Sequence, residues 1–192
     1  KGIKSLIHEG FRATLHKTRK SLDQQSNFKE FAKHVLPGPE ELEREHKTKF
    51  SKDIKFSILV PLYNTPIAFL EEMIDSVIQQ TYPNWELCLA DGSDDQHPEV
   101  GQRVQQYVQK DSRIRYRKLE KNLGIADNTN ACIEMATGDY IALFDHDDVL
   151  HPSVLFEDMK AITEQNADFI YTDEMTFSET LDNALTVHCK PD

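Results

Sequence analysis

The sequence has few of the residues that would cross-link a chain or carry it through a membrane. Its three cysteines, Cys88, Cys132 and Cys189, form no CxxC or Cys/His metal-binding pattern. Cys88 and Cys132 fall in apolar segments, so we expect buried thiols, as is typical of cytosolic chemistry. No apolar stretch approaches the roughly 20 residues that span a bilayer, and no secretory signal is visible. These absences favour a cytoplasmic protein.

Positive charge is also scarce. The 22 Lys and Arg stand against 33 Asp and Glu, a net charge of −11, which excludes general nucleic-acid binding because that requires a basic face. Residues 1–20 are the exception, with six basic residues against Glu9 alone. Apolar residues recur at helical spacing over residues 3–22, which predicts an amphipathic helix. We expect it to pack on the main domain or to form a homo-oligomer, with an upstream domain or peripheral contact at the inner face of a membrane as alternatives.

The organisation of the chain changes at residue 54. Before it, a short helix over residues 26–36 and a charged connector over residues 40–53 are predicted, separated by Pro37-Gly38-Pro39. After it, short apolar runs alternate with amphipathic segments, which is typical of an α/β fold with a mainly parallel sheet and helices on both faces. We therefore predict a helical N-terminal extension and connector at 1–53 and a sheet domain at 54–192. The predicted strands are 56–62, 85–90, 114–119, 140–144 and 167–171, with helices starting at Pro66, Pro98, Ile125 and Pro152 and a hairpin over 174–190 that turns at Asn183.

Three carboxylates, Asp145, Asp147 and Asp148, directly follow the predicted strand 140–144. Like charges this close together are costly unless a cation neutralises them. Open α/β sheets bind ligands at the carboxyl ends of their strands, and hard oxygen ligands suit Mg²⁺ or Mn²⁺. The pattern favours a divalent metal that holds a phosphorylated ligand. A simple cap for the next helix is the alternative, but a cap needs one side-chain oxygen rather than three carboxylates.

Two further strand ends carry polar residues. Pro61-Leu-Tyr-Asn64 ends the first predicted strand, and Asp91-Gly-Ser-Asp-Asp95 follows the second. Because the carboxyl ends of parallel strands share one edge, these segments are expected to converge with the acidic run in a ligand crevice. Taken singly, each also has an ordinary structural explanation as a turn, a helix cap or a packing residue.

Together these segments resemble family 2 glycosyltransferases of the GT-A fold. The resemblance covers residues 54–192 and rests on five elements in matching order and spacing. They are Ser57-Ile-Leu-Val-Pro-Leu-Tyr-Asn64, Ser76-Val-Ile-Gln-Gln-Thr-Tyr-Pro-Asn-Trp-Glu-Leu87, Asp91-Gly-Ser-Asp-Asp95, Asn122-Leu-Gly-Ile with Asn130, and Ala136-Thr-Gly-Asp-Tyr-Ile-Ala-Leu-Phe-Asp-His-Asp-Asp148.

The resemblance implies a nucleotide-sugar donor, usually a UDP-sugar, a Mn²⁺ or Mg²⁺ ion, and inverting transfer to a glycan, a glycoprotein or another hydroxyl acceptor. Asp145 and Asp147 match the metal-binding DxD pair, with Asp147 as the direct ligand. Asp91 is expected to accept a hydrogen bond from the uracil imide. Thr129 stands where the family commonly has an Arg, so neutralisation of the diphosphate is expected to depend more on the metal. The other implied donor-binding residues are Pro61, Tyr63, Asn64, Asn122, Gly124, Asn130 and Asp148.

The family's catalytic base lies well downstream of the DxD, and the chain stops in mid-pattern, so we expect a truncated domain that binds its donor better than it transfers sugar. Asp173 and Glu174 are the late carboxylates expected to line the site, and either is a candidate base. One alternative is a donor-binding module that assembles through residues 1–53 without full catalytic machinery. A sugar nucleotidyltransferase is less favoured, because Tyr63-Asn-Thr-Pro66 is not the Gly-rich, basic loop of that class.

Overall fold

The computed structural model describes residues 36–178 and 180–190 of the 192-residue chain. The predicted helix over residues 3–22 lies outside these residues, as does the one over 26–36 apart from Leu36, so their role in packing, self-association or membrane contact stays a prediction. The chain divides into two compact units, one formed by Gly38–Asp168 and one that includes Phe169–Asp192. None of the helices in the described part is long and apolar enough to span a bilayer.

The larger unit alternates helices and strands, as its sequence predicts. Proline and glycine punctuate the apolar runs, so most element ends fall within a residue or two of the predicted positions. Pro66 precedes its helix instead of occupying the first helical position. The elements are α1 (Pro39–Lys47), β1 (Phe56–Leu62), α2 (Ile67–Ile78), β2 (Trp85–Asp91), α3 (Pro98–Val108), β3 (Ile114–Lys118), α4 (Ile125–Ile133), β4 (Tyr140–Leu143) and α5 (Val154–Glu164).

The four strands form a parallel sheet in the order β3-β2-β1-β4. Phe56 of β1 registers with Trp85 of β2 on one side and with Tyr140 of β4 on the other. The chain therefore steps from β1 to β2 to β3 in one direction and then returns to the far side of β1. Such a reversal opens a crevice at the carboxyl ends of the two strands that flank it, here β1 and β4.

Helices cover both faces of this sheet. Leu59 and Cys88 lie on the face where Cys132 and Met135 of the α4 segment pack. Tyr116 registers with Leu89 and points to the opposite face, since neighbouring residues of a strand alternate. A Cβ added at Gly101 of α3 would lie 2.5 Å from the Tyr116 hydroxyl, so α3 covers that second face. The predicted α/β layering is confirmed.

The buried thiols were also predicted correctly. Cys88 and Cys132 are both fully buried and unpaired. Burial raises the pKa of each thiol to about 11. These cysteines therefore behave as core residues with inert sulfur.

The amino ends of the strands meet in a cluster of polar residues that we call the amino-edge cluster: Lys55, Ser57, Glu86, Arg115 and Thr137. Glu86 is 3% exposed and accepts hydrogen bonds from Ser57 Oγ at 2.7 Å, Lys55 Nζ at 2.8 Å and the Thr137 amide at 2.5 Å. Arg115 Nη1 lies 3.3 Å from the same carboxylate. Burial alone would raise the pKa of Glu86, but these donors outweigh it and lower the pKa to about 2.

The connector before β1 belongs to the larger unit. Glu45 of α1 is buried, and its carboxylate accepts a hydrogen bond of 2.8 Å from Thr81 Oγ1. The Phe50 ring meets Tyr82 and Phe156 edge-on. The part of the connector from α1 onward is therefore packed rather than flexible, while the domain boundary at residue 54 stays a prediction.

The smaller unit corrects two predictions. Residues 167–171 form no strand, and Phe169 and Tyr171 are 82% and 51% exposed. The hairpin consists of β5 (Glu174–Ser178) and β6 (Thr180–His188). Asn183 lies inside β6, beside a shift in the register between Phe177 and Ser178. Apolar composition thus did not make residues 167–171 a strand, and turn propensity did not place a turn at Asn183.

Candidate functional site

The loop after β1 is joined directly to the loop after β2. Asn64 adopts a left-handed conformation with φ of 48°, and its backbone amide donates to Ser93 Oγ at 2.9 Å. Its side-chain amide donates to Asp94 Oδ2 at 3.0 Å, and its side-chain oxygen accepts from the Asp94 amide at 3.1 Å. Tyr63 beside it is 45% exposed, and Pro61 is half-buried within β1. Three of the predicted donor-binding residues are thus placed at the carboxyl end of β1.

Asp91 ends β2 with its side chain buried at 1% exposure. Its Oδ1 accepts from the Ser93 amide at 2.8 Å, and its Oδ2 accepts from the Tyr116 hydroxyl at 2.7 Å and from Lys118 Nζ at 3.3 Å. Burial, followed by the bond to this carboxylate, raises the pKa of Tyr116. Asp91 therefore anchors its loop to β3, a task that its sequence context did not indicate. The uracil contact expected of it stays a prediction.

The turn between β3 and α4 is organised by Asn122 and Asn128. Asn122 Oδ1 accepts from the Gly124 amide and from Asn128 Nδ2, both at 2.9 Å. Gly124 has φ of 88° and ψ of 169°, a conformation reserved almost entirely for glycine. Nothing lies within 4 Å of a Cβ added there. The space beside the Gly124 backbone is thus unfilled by protein atoms, and the close approach of a nucleotide that the family resemblance implies there stays a prediction.

Asn128 is the residue of this turn that the sequence analysis missed. It is 2% exposed, whereas Asn130, predicted to bind the donor, is exposed on α4. Asn128 Oδ1 also accepts from the Leu123 amide at 3.2 Å, and a Cβ added at Gly92 would lie 3.0 Å from Asn128 Nδ2. Asn is a poor residue for a helix interior unless its side chain bonds to a neighbouring loop, and that was the available signal.

The acidic loop follows β4 at the far side of the reversal. Asp145, Asp147 and Asp148 are all exposed, and the Asp148 amide approaches the Asp145 carbonyl at 3.4 Å, so the three carboxylates stand on one tight turn. The Phe144 amide donates to the Leu59 carbonyl at 3.1 Å, which ties the base of the loop to β1. The loop therefore presents its charges beside the crevice between β1 and β4.

Buried polar side chains at the end of α2 hold the chain that follows the acidic loop. Ser76 Oγ accepts from the Leu150 amide at 3.1 Å. Gln80 donates to the His151 carbonyl at 2.8 Å and accepts from the Leu155 amide at 3.2 Å. The Thr81 amide donates to the Pro152 carbonyl at 3.0 Å. Ser76, Gln80 and Thr81 of the second matching element thus hold the chain that directly follows the acidic loop.

The donor set of the acidic loop fits a divalent cation that is shared with a ligand. Within the described residues, no three His, Cys, Asp or Glu side chains converge as a metal cage. Mg²⁺ is commonly held by one or two carboxylates with water and substrate phosphates completing its shell. The exposed pair Asp145 and Asp147 suits that arrangement.

Asp173 and Glu174, the candidate bases, belong to the smaller unit. Asp173 accepts a hydrogen bond of 2.8 Å from the Lys190 amide, and Glu174 forms an ion pair of 3.2 Å with Lys190 Nζ. Both are exposed. Their catalytic role stays a prediction.

Comparison with known proteins gives the family. Residues 57–183 match the family model described as glycosyl transferase family 2. The chain belongs to this family. Among its relatives, the uncharacterized protein y4gI of Sinorhizobium fredii is 44% identical over 137 residues, which cover 71% of this chain and 15% of that protein. Glycosyltransferase GlyG of Streptococcus pneumoniae is 30% identical over 125 residues, which cover 65% of this chain and 40% of that protein.

Solved structures agree with the family 2 assignment. TarS 1–349 of S. aureus in complex with UDP-GlcNAc superposes with a TM-score of 0.54 and 28% identity, over 60% of this chain and 33% of that one. This likeness confirms the predicted GT-A type of α/β fold. The chain spans well under two thirds of the length of these family 2 relatives, so what the longer proteins do is carried over to it only as a proposal.

Proposed function

We propose that this chain is the donor-binding part of a metal-dependent, inverting glycosyltransferase that uses a UDP-sugar and glycosylates a glycan or another hydroxyl acceptor. The observation that carries the proposal is the placement of the exposed Asp145 and Asp147 beside the crevice at the strand reversal, in a member of family 2. The UDP-GlcNAc complex of TarS supports the choice of a UDP-sugar.

The donor is proposed to lie across the loops at the carboxyl edge. Tyr63 offers an exposed aromatic ring for the base and ribose, and the glycine backbone at Gly124 allows close approach. Asp91 is proposed to read the imide of the base, although its carboxylate is buried and carries three hydrogen bonds. Asp148, on the acidic turn, is proposed to lie near the ribose or the donor sugar. The proposal is supported by the position of these groups, all of which lie at or after the carboxyl ends of strands of one parallel sheet.

Asp147 and Asp145 are proposed to hold Mn²⁺ or Mg²⁺ together with the donor diphosphate. A divalent ion there would act as a Lewis acid that stabilises the negative charge on departing UDP. The side chains of Ser76 and Gln80 and the backbone amide of Thr81 keep the chain after the acidic loop in place. Less conformational entropy is therefore lost when the acidic loop is ordered around a bound metal.

Inversion requires a base that takes the proton of the acceptor hydroxyl. Asp173 and Glu174 remain the proposed candidates in this chain. Asp173 accepts a hydrogen bond from the Lys190 amide, and Glu174 forms an ion pair with Lys190 Nζ. A cytoplasmic location, self-association through residues 1–53 and contact with the inner face of a membrane are further proposals.

Titration calorimetry of the chain with UDP and Mn²⁺ tests the proposal. We expect measurable affinity that depends on Mn²⁺ and that Asp147→Ala abolishes. The exposed Asp168 lies after α5, and Asp168→Ala is the matched control, expected to bind UDP like the original chain. Absence of UDP affinity in the presence of Mn²⁺, or equal affinity for the Asp147 variant, would contradict the proposal.

A further inference from the structure

Asn64 uses its polar groups on the protein itself. Its backbone amide, its side-chain amide and its side-chain oxygen each form a hydrogen bond to Ser93 or Asp94, in the loop after β2. The last two bonds form a reciprocal pair with Asp94, in which each residue both donates and accepts. Asn64, which the family resemblance implies as a donor ligand, therefore uses these groups to join two loops.

Asp94 extends this connection to the start of α3. Its Oδ1 accepts from the Gln96 amide at 3.0 Å and lies 2.7 Å from His97 Nδ1, while its Oδ2 faces Asn64. The bonds from His97 and Asn64 lower the pKa of Asp94, so it is held as a carboxylate. His97 is the residue directly before α3. One carboxylate thus links the loop after β1, the loop after β2 and a helix.

We infer that Asn64 is a positioning residue rather than a donor ligand, and that with Asp94 it forms a clamp that sets the spacing between the Tyr63 loop and the Asp91 loop. The inference rests on the proposed function, since it is the donor that would lie against both loops. Strands β1 and β2 pair in register up to Leu62 and Asp91. Among the described residues, the bond of 2.9 Å from the Gly92 amide to the Leu62 carbonyl is the last backbone bond between them. Beyond it, the clamp keeps the loops together.

A simpler explanation is that Asn64 serves only to adopt a positive φ. Asn tolerates such a conformation better than most residues, and glycine tolerates it better still. The chain has a second example, Asn166 with φ of 57°, whose side chain accepts a bond from Lys52 Nζ and is exposed after α5. The two explanations differ in their dependence on the chemistry of residue 94.

Exchanging the two side chains separates these explanations. In Asn64→Asp, two carboxylates face each other where a bond existed, and like charges in contact repel. In the double variant Asn64→Asp with Asp94→Asn, the residue 94 amide donates to Asp at 64, and the residue 94 backbone amide still has its acceptor. The double variant therefore restores the lost side-chain bond with its polarity reversed, while the bond from the residue 94 backbone amide keeps its direction throughout.

We expect Asn64→Asp to weaken Mn²⁺-dependent UDP binding about tenfold and the double variant to recover to within about threefold, as is usual for directly coupled residues. Asn64→Gly keeps the backbone conformation and loses both side-chain bonds, so it should also bind UDP less well. Asn166→Asp is the control for an acidic residue at positive φ and should bind like the original chain. Binding is measured by calorimetry, with the melting temperature of each variant recorded beside it.

Two results would overturn the clamp: UDP affinity unchanged in Asn64→Asp, or no recovery in the double variant. Losses in affinity that merely follow losses in melting temperature would also overturn it, because they would show a general role in folding. If the original chain binds no UDP, the proposed function fails, and the clamp is judged by amide hydrogen exchange over residues 91–97. Exchange there should rise in Asn64→Asp and return to its original rate in the double variant, and a failure to do so would overturn the clamp independently.

Discussion

The two ends of the same parallel sheet are built in opposite ways. At the amino edge, the Glu86 carboxylate is buried and surrounded by donors, and Gly138 fits so tightly that an added Cβ would lie 2.5 Å from the Lys55 carbonyl. At the carboxyl edge, three carboxylates of the acidic loop are exposed, and the backbone at Gly124 takes a conformation that disfavours other residues. The amino edge buries its carboxylate among hydrogen-bond donors, whereas the acidic loop at the carboxyl edge exposes its carboxylates to solvent.

This difference shows how a small sheet can have exposed carboxylates at one edge and a tightly packed opposite edge. Clustered like charges and unusual backbone conformations lower stability, and they persist where the surrounding structure holds them in place. The hydrogen bonds of the amino-edge cluster and of Gln80, just after α2, hold the surrounding structure in place. The comparison predicts that substitutions at the amino edge lower stability, whereas substitutions at the carboxyl edge lower ligand binding.

The largest effect on stability is expected from Gly138→Ala. Its new methyl group would overlap the Lys55 carbonyl and the Ser57 backbone and hydroxyl, and such overpacking costs about 3 kcal/mol when backbone must move. Chemical denaturation monitored by circular dichroism measures the loss. Gly38→Ala is the matched control, because nothing lies within 4 Å of its added Cβ. Equal stability of the two variants would remove the claim that the amino edge is the rigid end.

Glu86→Gln should lower the free energy of unfolding by about 2 kcal/mol, because a charged hub of hydrogen bonds becomes neutral. The effect depends on pH. The pKa of Glu86 is lowered from 4.5 to about 2 in the folded chain, so its ionised form stabilises the fold above pH 4.5 and this contribution is lost as pH falls toward 2. Urea denaturation at pH 7, 4 and 3 should show that decline in the original chain and a weaker one in the variant. Glu134→Gln, in an exposed ion pair with Arg117, should change stability by less than about 0.5 kcal/mol.

Gly124→Ala should lower the free energy of unfolding less than the amino-edge variants do, and it should lower UDP affinity more. There is room for the methyl group, but φ of 88° with ψ of 169° is unfavourable for alanine by about 1 to 2 kcal/mol, and an exposed turn can relax to reduce that cost. We expect a fall in melting temperature of a few degrees at most and a clear loss of UDP affinity by calorimetry. A lowered melting temperature with unchanged UDP affinity would show that Gly124 contributes to the fold and not to donor binding.

The smallest change in stability is expected from Asp147→Asn. The carboxylate is exposed and stands among like charges, so its neutralisation should alter the free energy of unfolding by less than about 0.5 kcal/mol. Metal-dependent UDP binding should nevertheless be lost, as for Asp147→Ala. A large loss of stability would mean that the acidic loop also holds the fold together, and the contrast between the two edges would then fail.

Much of the fold was accessible from sequence because its strands are short, apolar and bounded by proline and glycine. Ser57-Ile-Leu-Val and Leu87-Cys-Leu-Ala read as buried strands, and burial confirms them. Residues 167–171 also contain apolar residues, but they include Asp168 and form no strand, so the prediction there was wrong. Composition reports the tendency to be buried, whereas pairing depends on the rest of the chain.

The candidate site was only partly accessible for a related reason. The exposed carboxylates of the acidic loop could be located from the sequence, because they directly follow a strand. The roles of Asn64 and Asp91 could not be predicted, because their partners lie far away in sequence. Asn64 bonds to Asp94, 30 residues away, and Tyr116 bonds to Asp91, 25 residues away. Glu86 was also missed, because it sits within an apolar strand and its partners are Lys55, Ser57 and Thr137.

The position of β4 beside β1 has a consequence for how the chain is made. Phe56 and Tyr140 are register partners 84 residues apart (140 − 56), and synthesis proceeds at roughly 5 to 20 residues per second. The first strand therefore waits about 4 to 17 seconds for one of its two neighbours, while β2 and β3 are already available on its other side. Until β4 is made, β1 has a neighbouring strand on one side only. The acidic loop directly follows β4, so the strand that completes the crevice and the carboxylates beside it are made together.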